Sequence, residues 1–323
     1  MTLEQLASGI QQGSRRCLSK GITLVESSRE EDQEKVNGLI SLLPQKKDTL
    51  RVGISGVPGV GKSTFIERLG NYLIEEGHRV AVLAIDPSSP TSGGSILGDK
   101  TRMETLSAKE EAFIRPSPTS GTLGGVAKRT RETIRLCEAA NYDIILIETV
   151  GVGQSEYEVA SMVDCFLVMM LPGGGDSLQG IKRGILEITD ILVINKADGD
   201  QKKLAELAKS EYEHAFHMLA SKYKGIKTSI LSISALEDLG VIEVWDSIKR
   251  FRDMLVNQHL FELNRNKQEI QWFKRLVEEE VLKTIWSDKD KKIKVHDIHE
   301  KIINGAITPY EAALRLLSSI KLK

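Results

Sequence analysis

The chain has 323 residues, more than the ~100–150 of the commonest domain size, so it can hold one large α/β domain with additions. A formal net charge of -1, with 28% charged and 41% hydrophobic residues, excludes the basic excess that bulk nucleic-acid binding requires. The three cysteines, Cys17, Cys137 and Cys165, are too scattered for a disulfide framework or a CxxC metal pair. With no signal-peptide core and no run of ~18 apolar residues, the expectation is a soluble, cytoplasmic protein that does not enter a membrane.

In chain order, the first 45 residues read as helical, with Leu3, Leu6, Ala7 and Ile10, then Val36, Leu39, Ile40 and Leu43, at helical spacing. Ser28 and Glu31 read as a capping box for the second helix, which Pro44 ends. From Leu50 to about residue 255, short apolar runs at 51–56, 79–86, 112–117, 142–148, 165–171, 190–195 and 229–234 alternate with helical stretches. Most runs are continuously apolar, which predicts a doubly wound α/β domain whose mainly parallel sheet is covered on both faces. Beyond residue 257 the strands stop. Residues 264–286 predict one helix with Ile270, Phe273, Val277, Val281 and Ile285 near one face, and Thr308, Pro309 and Glu311 open a last short helix. The expected division is a helical N-terminal extension over 1–47, a nucleotide domain over 48–257 and a helical arm over 258–323. So narrow an apolar stripe needs a surface to pack on, either its own domain or, the preferred reading, a second subunit.

Gly56-Val57-Pro58-Gly59-Val60-Gly61-Lys62-Ser63, followed by Thr64, matches G-x-x-x-x-G-K-[ST] between an apolar strand and a helix. Glycines let backbone amides approach a phosphate chain, the helix presents its positive end, Lys62 reaches the β- and γ-phosphates, and the Ser63 hydroxyl ligates Mg2+. The base is read elsewhere. Asn195-Lys196-Ala197-Asp198 follows the 190–195 run, and the Asp198 carboxylate accepts from N1 and N2 of guanine. Adenine would leave that carboxylate unpaired at a cost of about 1–3 kcal/mol. Lys196 lays its stem over the base, Asn195 ties the loops together, and Ser234-Ala235-Leu236 fits a loop whose backbone amide meets guanine O6. The expected ligands are GTP, GDP and Mg2+.

The run from Asp143 to Gly151 ends an apolar strand on Glu148, as a Walker B and γ-phosphate-sensing segment requires. Glu148, where many GTPases keep Asp, is expected near the magnesium or the attacking water, and the Gly151 amide at the γ-phosphate. Small Ras-like GTPases follow that glycine with a water-orienting glutamine, whereas this chain has Val152, so hydrolysis is expected to be slow alone. Gln154 is a candidate substitute or a plain loop residue. Asp86 and Asp99, in a loop rich in glycine, serine and proline, are candidates for the magnesium shell or for positioning water. The loop 171–183 sets three glycines beside Asp176 and Lys182, and reads as another switch or as a strand-to-helix turn.

Taken in order, GVPGVGKST, DPSSPTSGGSILGDKTRM, IETVGVGQSE, LPGGGDSLQGIKRGI, NKAD and SAL resemble the MeaB/ArgK-type GTPases of the SIMIBI class over nearly the whole chain. The resemblance implies a homodimeric G-protein chaperone of adenosylcobalamin-dependent acyl-CoA mutases, chiefly methylmalonyl-CoA mutase. Such a chaperone gates cofactor loading, protects or reactivates the mutase, and hydrolyses GTP faster when bound to it. The resemblance also makes 173–183 a third switch at the mutase interface, with Asp176 and Lys182 as candidates for partner-dependent catalysis. Two competing readings are a kinase or transport ATPase and a nickel-type metallochaperone GTPase. NKAD argues against the ATP that the first requires, and the sequence has no Cys/His cluster for the second.

Overall fold

The computed structural model describes residues 1–27, 29–44, 48–86, 103–118, 123–149, 155–173, 183–287 and 297–318. All seven expected strands form: β1 Leu50–Gly56, β2 Val80–Asp86, β3 Ala112–Pro118, β4 Ile144–Thr149, β5 Cys165–Met170, β6 Ile191–Ile194 and β7 Ser229–Ser232. They make one sheet in the order β3-β2-β4-β1-β5-β6-β7, with every neighbouring pair parallel. β4, β5 and β6 are buried throughout, which is why they read as unbroken apolar runs. At the sheet edge β7 is half-buried and ends at Ser232, earlier than its run suggests.

The helices are α1 Leu3–Gln11, α2 Arg15–Glu26, α3 Glu30–Ser41, α4 Lys62–Glu75, α5 Glu104–Ser107, α6 Leu123–Ala139, α7 Ser155–Ala160, α8 Arg183–Ile188, α9 Lys202–Met218, α10 Val241–Asn257 and α11 Leu260–Ser287. Residues 297–303 (α12) and Pro309–Ser318 (α13) complete them. Alternation along β1 divides the core: Val52 and Ile54 join Phe65, Leu69, Trp245 and Ile248 of α4 and α10, while Gly53 faces Val159 of α7.

The N-terminal region holds three helices where the spacing suggested two. The extra one, α2, buries Leu18, Ile22 and Val25 against α6, an i, i+4, i+7 pattern that the flanking charges of Arg15, Arg16 and Lys20 obscure. The start of α3 also differs from the expected capping box: Arg29 is its N-cap, without a side-chain bond, and Ser28 lies outside the described residues. Ser27 acts instead, its hydroxyl donating to Asp32 at 2.6 Å and accepting from the Arg29 amide at 3.3 Å.

By contacts the chain forms two compact units, Met1–Arg265 and Asn266–Lys323. In the second, the Thr308 hydroxyl accepts from the Glu311 amide at 3.2 Å and so caps α13 as the sequence suggested. On α11, Ile270, Phe273, Val277 and Val281 are all exposed, from 37% to 64%. In the first unit, the end of the sheet opposite the motifs carries buried acids set just ahead of strands. Asp164 accepts from the Arg51 amide at 2.8 Å and from two nitrogens of Arg265 at 2.7 Å, while Asp190 accepts from the Phe166 amide at 2.9 Å and from Lys222 at 3.0 Å. Each carboxylate satisfies a strand amide and a cation, as burial demands.

Candidate nucleotide site

A parallel sheet gathers the C-terminal ends of all its strands at one edge, and each motif begins where a strand ends there. β1 runs into the glycine loop, β2 ends at Asp86, β4 carries Glu148, β6 is followed by Asn195 and β7 by the Ser234 loop. Residues separated by well over a hundred positions in sequence therefore meet at one edge.

The glycine loop is shaped for close approach. A β-carbon on Gly56 would lie against the Met169 carbonyl oxygen and 3.1 Å from Met169 Cβ, and one on Gly61 would reach Asn195 Nδ2 at 2.5 Å. Gly61 sits in the left-handed region, φ 98°, at the N-cap of α4, and no side chain among the described residues caps that helix. The first amides of α4 are thus open to an anion, with Val60 buried beneath the loop and Val57, Pro58, Gly59, Ser63 and Thr64 accessible around it.

Lys62 is 8% exposed, and its ammonium donates to the Gly56 carbonyl at 2.8 Å and the Val57 carbonyl at 3.5 Å. Burial holds its pKa below the ordinary lysine value, opposed by the carboxylates of Glu148 and Glu156. Glu148 is buried near the end of β4, in register with Ile54 of β1 and Ala84 of β2. Next to it the Thr149 hydroxyl donates to Ser55 Oγ at 2.9 Å, joining β4 to the strand that feeds the loop.

Asn195 ties the glycine loop to the loop of 234–236. Its Nδ2 donates to the Val60 carbonyl at 2.7 Å and its Oδ1 accepts from the Ala235 amide at 2.9 Å, both in buried surroundings. Lys196 takes a left-handed conformation, φ 62°, unusual for a residue with a side chain, and remains exposed. The Ala197 amide donates to the Ile233 carbonyl at 2.9 Å, which fixes the turn against the last strand. Ser234 then donates its hydroxyl to Asp198 Oδ2 and accepts from the Glu237 amide at 3.2 Å, orienting the carboxylate. Leu236 is 72% exposed, and Arg68 of α4 donates to its carbonyl at 3.4 Å.

Several expected site residues fall outside this description. Asp99, Gly151, Val152, Gln154, Asp176 and Lys182 lie outside the described residues, and for Asp86 only the backbone, at the end of β2, is described. Among the described residues no group of three or more His, Cys, Asp and Glu side chains is arranged to hold a metal ion. Ser63 and the buried Glu148 supply oxygen donors of the kind Mg2+ prefers. Glu156, fully buried on α7, was not singled out from the sequence although it belongs to the run IETVGVGQSE. An acid shortly after the strand that ends in Glu148-Thr149 was the available signal.

The comparisons with known proteins agree with this geometry. A family model described as methylmalonyl Co-A mutase-associated GTPase MeaB matches residues 18–290. A probable GTPase of Mycobacterium bovis is 49% identical over 317 residues, 98% of this chain and 94% of that protein. The mouse protein named methylmalonic aciduria type A homolog, mitochondrial, is 45% identical over 99% of this chain and 80% of its own. A crystal structure of an LAO/AO transport system kinase is 38% identical with a TM-score of 0.78, covering 98% of this chain and 97% of that one. No helix among the described residues is long and apolar enough to cross a membrane. The chain is a GTPase that binds GTP and GDP, and it belongs to the family of methylmalonyl-CoA mutase-associated GTPases, MeaB.

Proposed function

We propose that this GTPase is a guanine-specific, magnesium-dependent chaperone of an adenosylcobalamin-dependent acyl-CoA mutase of the methylmalonyl-CoA type, acting as a homodimer in the cytoplasm. On this reading it gates cofactor loading and protects or reactivates the mutase, and its slow hydrolysis of GTP quickens when the mutase is bound. The observation that carries the nucleotide half is Asn195, which joins the phosphate loop at Val60 to the base loop at Ala235. Family membership and the mouse relative's name support the mutase half. The exposed stripe of Ile270, Phe273, Val277 and Val281 supports a helical arm over 258–323 that dimerises. Three free thiols suit a reducing compartment.

In the mechanism, backbone amides of residues 59–64 bind the phosphates and the Gly151 amide meets the γ-phosphate. Lys62, whose charge Glu148 and Glu156 favour against the desolvation that lowers its pKa, neutralises charge that grows between the β- and γ-phosphates as the bond breaks. Asp198 and Lys196 fix the base, with Ser234, Ala235 and Leu236 closing its far side. Ser63, Asp86, Asp99 and Glu148 would hold Mg2+, which when bound supplies charge neutralisation at the β- and γ-oxygens. Val152 offers no hydrogen bond to the attacking water, and that task passes to Gln154, Asp176 or Lys182 once the partner is engaged. The test is steady-state GTP hydrolysis with and without a purified mutase of this class: a rate raised by the mutase is expected, and an unchanged rate with every such mutase refutes the chaperone reading.

A further inference from the structure

α7 is seated in two notches, each made by a glycine. On its inner side Val159 rests on Gly53 of β1, where a β-carbon would meet Val159 Cγ1 at 2.8 Å and Phe166 Cδ2 at 2.9 Å. On its outer side the end of the Tyr157 ring rests on Gly184 of α8, where a β-carbon would overlap the tyrosine hydroxyl and lie 3.1 Å from Cζ. Tyr157 is 45% exposed, and the end of its ring lies over that notch. The preceding residue, Glu156, is fully buried, and its charge acts on Lys62. Consecutive residues of one short helix therefore bear on the phosphate lysine and on α8. In sequence α7 starts directly after 151–154 and α8 directly after Lys182, so the two helices adjoin, along the chain, the two segments assigned to γ-phosphate sensing and to the partner.

We propose that the Tyr157–Gly184 contact is a coupling joint, through which nucleotide state at the phosphate end of the sheet reaches α8 and a partner bound beside α8 reaches Lys62. Close-packed contacts shift between discrete arrangements instead of deforming, and α7 approaches both glycines so closely that neither contact leaves room for a β-carbon. Energetic coupling is reciprocal, so a joint that reports nucleotide state outward also carries partner binding inward. The joint rests on the function proposed above only for the identity of the partner.

Hydrogen exchange on the full chain, loaded either with GDP or with a non-hydrolysable GTP analogue, tests the joint without any partner. In the wild type the amides of α8 should exchange at rates differing about fivefold or more between the two nucleotides, the lower end of ordinary coupling. Tyr157→Ala removes the ring and Gly184→Ala fills the notch, and each should shrink that difference to about twofold or less. The double change Tyr157→Phe with Gly184→Ala exchanges a hydroxyl for a methyl at nearly constant volume and should restore the difference, which simple damage to the fold would not do. An α8 indifferent to nucleotide in the wild type, an undiminished difference in Tyr157→Ala, or no recovery in the double variant overturns the proposal. GTP hydrolysis with a cobalamin-dependent acyl-CoA mutase, run on the same proteins, separates the two readings. A wild type that the mutase fails to stimulate sinks the chaperone reading alone, while the exchange result still decides the joint.

Discussion

Asn195→Ala should damage the nucleotide site without touching a nucleotide. Asn195 is 3% exposed, and it is the hydrogen-bond partner of both the Val60 carbonyl and the Ala235 amide. Alanine strands both groups in buried surroundings, each at a cost of about 1–3 kcal/mol, so unfolding free energy should fall by ~2–6 kcal/mol. Part of that loss falls on the geometry joining the phosphate and base loops, and an affinity loss of ~10-fold corresponds to only about 1.4 kcal/mol of it. Asn195→Asp keeps an acceptor for Ala235 but opposes the Val60 carbonyl with a second acceptor, so it should be at least as harmful as alanine. Urea unfolding of the nucleotide-free chain, paired with titration of a fluorescent GDP analogue, reads both effects. A stability change under about 0.5 kcal/mol, or an aspartate variant sturdier than the alanine one, would refute the reasoning.

Lys62→Ala removes the one ammonium in the phosphate loop and should weaken GTP binding by about 100-fold, measured by the same titration, while the folded far-ultraviolet spectrum persists. Arg265→Met leaves the buried Asp164 carboxylate without its guanidinium, a change expected to cost about 3–5 kcal/mol in urea unfolding; a loss under about 1 kcal/mol would show the pair to be dispensable. Burial pushes the Glu132 carboxyl up to about 7 from 4.5, with Lys128, Arg129 and Arg135 pulling the other way. The folded chain then holds this proton more tightly than the unfolded one, so stability declines as pH rises from about 4.5 through about 7. Glu132→Gln should therefore match the wild type near pH 5 and exceed it at pH 8 by up to ~3 kcal/mol, and equal stability at both pH values would contradict that assignment.

The sheet was legible because a parallel strand covered on both faces must be apolar at every position, as 144–149 and 165–170 are. Strand order was less so, since the sequence of crossovers leaves no mark in any one strand. The glycine loop was legible for a different reason: only glycine fits where a β-carbon would strike Met169 or Asn195. What escaped were interactions between residues distant in sequence and unmarked by period. Arg265 and Asp164 are separated by 101 positions, and Glu138 accepts from Arg51 at 2.7 Å across 87, pairs that any other charged residues on the chain could equally have suggested. Helix α2 escaped because its apolar stripe is sparse, and Glu156 because its burial depends on how α7 lies against the sheet. α3 starts one residue later than the expected capping box, with Arg29 as its N-cap and the Ser27 hydroxyl accepting from the Arg29 amide.

Guanine recognition by Asp198, held by Ser234, is the claim on which the nucleotide reading stands, and exchanging the acceptor for an amide tests it most directly. Xanthine carries a carbonyl where guanine carries its 2-amino group, so Asp198→Asn replaces a partner for two donors with one that can donate to that carbonyl. Steady-state hydrolysis of GTP, XTP and ATP by the wild type and by Asp198→Asn is the measurement. The account predicts a wild type selective for GTP and a variant whose preference moves toward XTP by about 100-fold, with ATP poor throughout. A wild type that hydrolyses ATP as readily as GTP, or a variant whose selectivity is unchanged, would contradict it.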